Sequence, residues 1–140
     1  MNNTLKVWIT LNNCITMDGQ TDSVGVEVEG VLEQLSPLNV LRYKEQDVDG
    51  SVTDVVIRAF PNVMSVLRNG PVSSAMLLEP GTRNPCSFRM PEGMLTMDVE
   101  LLEYTHSLQD GIYRWELHYL MYYGPTDPAE HRMVITARPM

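Results

Sequence analysis

Taken two residues at a time, the chain sorts into short runs with an apolar side and a polar side. In LKVWITLNN, Leu5, Val7, Ile9 and Leu11 share one side. In SVGVEVEGVLEQL, Val24, Val26, Val28 and Leu32 share one, with Glu27, Glu29 and Glu33 opposite. TDVVIRAF sets Thr53, Val55, Ile57 and Ala59 against Asp54, Val56 and Arg58. MLTMDVELLEY sets Leu95, Met97, Val99 and Leu101 against Thr96, Asp98 and Glu100. HRMVITARP sets Met133, Ile135 and Ala137 against Arg132, Val134, Thr136 and Arg138. Such alternation marks strands buried on one face and wet on the other. The richest run is GIYRWELHYLMYYG. One face carries Tyr113, Trp115, Leu117, Tyr119, Met121 and Tyr123. Side chains this large, several with polar tips, either fill a core or line a cavity.

Turn chemistry punctuates the runs: MDGQTD (17–22), DVDG (47–50), PN (61–62), RNGP (68–71), EPGTRNP (79–85), MPEG (90–93), QDG (109–111) and GPTDP (124–128). Asp-Gly and Asn-Gly tolerate positive φ and suit hairpin connections. Short links between neighbouring runs make antiparallel neighbours. The nearest approach to helical spacing is VLEQLSPLNVL (31–41), where Leu32, Leu35, Leu38 and Leu41 fall three apart. Pro37 interrupts it, so a bend or a single helical turn is expected there. The pattern predicts an all-β, up-and-down antiparallel meander of about eight to ten strands, closed into a barrel over residues 1–140 as one domain. A small barrel either packs solid or holds one small ligand.

Composition narrows the partners. The chain has 140 residues, room for one sizeable core, and a formal net charge of −8. That balance excludes a phosphate-binding basic face, hence nucleic acid, and adhesion to an anionic lipid surface. The start, MNNTLKVWITLNNC, lacks the basic flank and unbroken apolar stretch of a signal peptide. No apolar run approaches the ~18 residues that span a bilayer as a helix. Cys14 and Cys86 lack CxxC spacing and read as free thiols, so a cytoplasmic location is expected.

The run VWITLNNCITMDGQTDSVGVEVEGVL (7–32) resembles the YwiB-like family of bacterial proteins of unknown function. The resemblance continues through LRYKEQD, LRNGPVSSAMLLEPGTRNPCSFRMPEGMLTMDVEL and HRMVITARP. It covers nearly the whole chain in order. It implies a calycin-type, lipocalin-like β-barrel in a cytosolic protein, and it carries no functional residues across. Where relatives tend to read Thr-Pro-Tyr-Gly, this chain reads Met90-Pro91-Glu92-Gly93. The turn frame survives and two side chains change.

Candidate chemistry is sparse. Met76, Met90, Met97, Met121 and Met133 fall on apolar phases, where flexible thioethers suit either a soft-walled cavity or an irregular core. Tyrosine hydroxyls and an indole N–H on an inward phase each need a partner, which favours a wet or ligand-holding interior. The expected ligand-binding residues are Trp115, Tyr119, Met97, Met121 and Phe88, around a small, largely apolar ligand. Arg83, in EPGTRNP, is the candidate for a polar contact at the rim.

His106, His118 and His131 have no second ligand at metal spacing, and His131 reads as part of a charged strand start, so no metal is expected. The pairs Glu27/Glu29 and Asp98/Glu100 lie opposite apolar faces and read as solvated. Cys14 has no base assigned to it, and no Gly-x-Ser-x-Gly elbow or phosphate loop occurs. The sequence therefore points to a non-enzymatic binding module without catalytic residues or cofactor, as a monomer or homodimer. The alternative is a filled barrel acting through its outer surface or as a homo-oligomer, with Trp8, Leu102, Leu120 and Tyr122 on the wet phase.

Overall fold

A computed structural model describes residues 3–125 and 127–140. Ten antiparallel strands run in chain order: β1 (Asn3–Met17), β2 (Gln20–Gln34), β3 (Asn39–Gln46), β4 (Val52–Ala59), β5 (Met64–Asn69), β6 (Ser73–Leu78), β7 (Arg83–Met90), β8 (Gly93–Gln109), β9 (Ile112–Tyr122) and β10 (Ala129–Pro139). Each pairs with its neighbours in sequence, and β1 pairs with β10, so the sheet is a closed barrel. This is the meander that the turn signals predicted. The described residues contain no helix: β2 leads into β3 through a bend at 35–38 that includes a cis Ser36-Pro37 bond. No helix is long and apolar enough to cross a membrane, which says nothing of a membrane barrel.

Closure rests on a ladder running from Val7↔Pro139 to Thr16↔Glu130. The Thr10 and Thr136 hydroxyls hydrogen-bond across that seam. Inward residues follow the period-two pattern: Val7, Ile9 and Leu11 on β1, Val55, Ile57 and Ala59 on β4, and Met133, Ile135 and Ala137 on β10 are all buried. The outward phase carries the charges. Glu27 accepts a hydrogen bond from Trp8 Nε1 at 2.7 Å, and Glu100 one from Tyr122 Oη at 2.7 Å.

Two irregularities shape the barrel. β2 pairs with β3 only from Gly30 to Gln34, so Gln20–Glu29 is held by β1 alone. On β8, a register shift between Leu101 and Glu103 ends the inward phase. Beyond it, Tyr104 Oη donates to the Phe60 carbonyl at 2.7 Å, and His106 Nε2 lies 3.1 Å from the Pro61 carbonyl. These contacts tie the β4–β5 connection to β8.

The connections alternate between the two ends. The links β2–β3, β4–β5, β6–β7 and β8–β9 lie at one end. The links β1–β2, β3–β4, β5–β6, β7–β8 and β9–β10 lie at the other. Gly30 sits where β2 leaves β3. A Cβ there would stand 2.5 Å from Ile9 Cδ1 and 2.7 Å from the Arg42 carbonyl oxygen. Ile9 can turn aside, but the backbone oxygen cannot. Gly30→Ala is therefore expected to cost about 1–3 kcal/mol in a denaturant titration. An unchanged unfolding midpoint would show that the strands part without needing this close approach.

Candidate functional site

At the end carrying the β1–β2 and β9–β10 connections, the interior opens into a cavity of about 380 Å³. That is within the size range of small-molecule sites. Most of its wall is apolar: Leu11, Ile15, Val26, Ile57, Met121 and Met133 are among its lining residues, with Met76 and Phe88. Into this wall the fold sets Asn13 from β1, Glu45 from β3, Arg68 from β5, Tyr119 from β9 and His131 from β10.

The geometry of the polar group is specific. The His131 ring stacks on Tyr119, with centroids 4.7 Å apart and planes 15° from parallel. Asn13 Nδ2 donates to Tyr119 Oη at 3.3 Å and lies 3.2 Å from His131 Nδ1. With the amide so placed, Nδ1 accepts and the imidazole hydrogen sits on Nε2. Glu45 Oε1 accepts from Arg68 Nη1. Three buried polar atoms of this group have no hydrogen-bond partner within the protein, Asn13 Oδ1, Glu45 Oε2 and His131 Nε2, and neither has the nearby Tyr43 Oη, which is off the cavity wall. Tyr43 stands two positions before Glu45 on the same strand, outside hydrogen-bond geometry with it. Folded proteins rarely leave such atoms unmatched.

Burial sets the charge states. It lowers the His131 pKa from 6.5 to about 4, so the imidazole is neutral near pH 7. It pushes the Tyr119 hydroxyl up to about 12, against the opposing hydrogen bond from Asn13. Burial, then the charge of Glu45, raises Tyr43 further still. Burial works against the Arg68 charge, but the hydrogen bond and charge of Glu45 outweigh it, and its pKa is raised. Burial also lifts the Cys86 thiol to about 11, which leaves it protonated and a poor nucleophile. No cluster of three or more His, Cys, Asp or Glu side chains is disposed to hold a metal among the described residues.

The structure separates the residues that the sequence grouped as a ligand site. Tyr119, Met121 and Phe88 line the cavity. Trp115 and Met97 are buried but off its wall: Trp115 stacks on Tyr113 at 5.7 Å, and Met97 is paired with Cys86 across the β7–β8 ladder. Arg83 lies on the outer face. Its Nε is 3.1 Å from Asp98 Oδ2, and its guanidinium sits 3.6 Å over the Tyr122 ring.

Asn13, Glu45, Arg68 and His131 escaped the sequence reading. His131 looked like a charged strand start and Arg68 like part of the RNGP turn, yet His131 is only 5% exposed. A signal was present. Each continues an inward apolar phase by one step: Leu11 to Asn13, Tyr43 to Glu45, Val66 to Arg68, and Met133 back to His131.

Two outcomes are expected. Glu45→Ala or Arg68→Met leaves its partner's charge stranded in a partly buried site and costs roughly 1–3 kcal/mol. The double variant costs less than the sum of the two. Additive losses in a denaturant cycle would show that the pair is uncoupled. As for pH, the folded state resists protonating His131 while the unfolded chain does not. Its contribution is complete above 6.5 and is lost as pH falls from 6.5 to about 4. The unfolding midpoint should drop through that window more steeply in the native protein than in His131→Phe. Identical slopes would contradict a buried neutral imidazole.

Comparison with known proteins adds the lineage. A search of the solved structures finds the crystal structure of ywiB protein from Bacillus subtilis, with a TM-score of 0.87, 18% identity, 98% of this chain covered and 93% of that one. At that identity the likeness shows a shared fold. The comparison with curated proteins finds no match. A family model, described as a domain of unknown function (DUF1934), matches residues 9–135, from the middle of β1 to the middle of β10. That span takes in every strand of the barrel, and the chain belongs to this family.

Proposed function

We propose that this barrel is a non-enzymatic binding module for one small amphipathic ligand. The ligand's apolar part lies against Phe88, Met121 and Met133. Its polar end meets Asn13, Glu45, Tyr119 and His131. The observation that carries the reading is the meeting of a 380 Å³ cavity with buried polar atoms that have no partner within the protein. A cavity lined by apolar side chains with a few convergent polar groups is the usual form of a small-molecule site. In this reading the polar end lies at the inner wall, since Arg83 is engaged with Asp98 and Tyr122 on the outer face.

Burial keeps the Cys86 thiol on this wall protonated, which makes it a poor nucleophile. We place the protein in the cytoplasm, on the support of Cys14 and Cys86 being free thiols.

A second reading, an interaction module working as a homodimer or through its outer surface, is favoured by one feature. The outer edge of β2 from Gln20 to Glu29 has no ladder partner, and unpaired edges are templates for pairing.

Native mass spectrometry of gently purified protein, beside a denatured sample, separates the two. Under the binding reading the native ion carries extra mass that denaturation removes. Adding back the released compound in excess raises the melting temperature, because binding the native state stabilises it. A bare dimer ion that gains no stability from small amphipathic compounds would overturn the binding reading in favour of the second.

A further inference from the structure

We infer that the ligand is uncharged, with a head group that presents one hydrogen-bond donor beside one acceptor, as a primary amide does, and that the site discriminates against the corresponding carboxylate. This rests on the binding reading above and narrows it to a chemical class.

The first support is the charge balance inside the wall. Arg68 is the cation lining the cavity, and Glu45 already neutralises it. Asn13, Ser74, Tyr119 and Tyr123 are uncharged there, and burial holds His131 neutral near pH 7. An entering carboxylate would lose its hydration without gaining a free cation, and it would approach the unpaired Glu45 Oε2. A ligand cation would instead meet Arg68. A neutral head avoids both costs.

The second support is the logic of Asn13 and His131. As placed, the amide turns Nδ2 toward His131 Nδ1 and leaves Oδ1 unpartnered. His131 Nε2 then carries the hydrogen. Apart from Glu45 Oε2 and the Tyr119 hydroxyl, these two cavity-lining residues hold one orphan acceptor, Asn13 Oδ1, and one orphan donor, Nε2–H. Turning the amide over exchanges both roles at once: Nδ1 becomes the donor to Oδ1, Nε2 becomes a lone pair and Nδ2 faces outward. In either arrangement a neutral imidazole leaves one donor and one acceptor free. A complementary head needs one of each. A carboxylate, which only accepts, satisfies at most half of the pair.

The third support is at the mouth. The five connections at the cavity end carry Asp18, Asp47, Asp49, Glu92 and Asp127 and no Lys or Arg; the four at the closed end carry two carboxylates, Glu79 and Asp110. The field at the entrance therefore repels anions.

Calorimetric titration at pH 7.5 with octanamide and octanoate tests the inference, since the two share a chain and differ in the head. Octanamide is expected to bind at least about tenfold more tightly. His131→Phe keeps a ring against Tyr119, and Asn13→Val removes the amide. Each, confirmed folded by its melting curve, should bring the two affinities to within about threefold. Octanoate binding as tightly as octanamide, or a variant that keeps the full amide preference, overturns the inference and leaves the binding reading standing. If neither probe binds, the compound carried by the native ion decides: a neutral donor–acceptor head supports the inference, and an anion refutes it. A bare ion with neither probe bound refutes both.

Discussion

The ladder between β1 and β10 joins the first strand to the last, and the rest of the molecule depends on it. An open meander would have two raw edges and a sheet face with nothing to cover it. Once those strands pair, every inward side chain of ten strands faces one shared interior. Alternation does the remainder. A residue's parity decides whether it packs among Ile9, Ile57 and Ile135 or stands in water beside Glu27 and Arg132.

Because the barrel has two ends, its interior need not be uniform. Toward the closed end, Val7, Leu41, Met64, Leu78 and Trp115 fill the space, and the Tyr104 and His106 contacts fasten the β4–β5 connection. Toward the other end, the inward phase turns polar on four strands, and the packing gives way to a cavity. Burying Asn13, Glu45, Arg68 and His131 works against stability, since an apolar wall of the same shape would leave no atom unmatched. Proteins that keep such a cost at one place usually do so for a site. The stack of His131 on Tyr119 and the shared contacts of Asn13 also hold these polar tips in defined directions.

Particular residues show how far the sequence was legible. The strands were readable because a one-residue slip would exchange core and solvent faces, so each run states its own orientation. Met97, Trp115 and Tyr119 all proved buried, as their parity required. Parity could not say which buried residue meets empty space: Trp115 and Tyr119 share a phase on β9, four residues apart, yet Tyr119 lines the cavity and Trp115 does not. Arg83 was drawn to the rim by its turn-like surroundings, whereas β7 begins at Arg83 and its side chain takes Tyr122 and Asp98 on the outer face.

Taken alone, the sequence determined an antiparallel meander of about eight to ten strands, its closure, and the inward or outward sense of most residues. Those properties follow from local turn chemistry and a period of two, both written within a few neighbouring residues. Only the tertiary structure decided that one end fills while the other stays hollow, and that Asn13, Glu45, Arg68, Tyr119 and His131 share one wall. They come from five strands, with Asn13 and His131 separated by most of the chain, and their meeting is set by the stagger of the closed ladder. Stagger belongs to the whole sheet, so no local stretch of sequence encodes it.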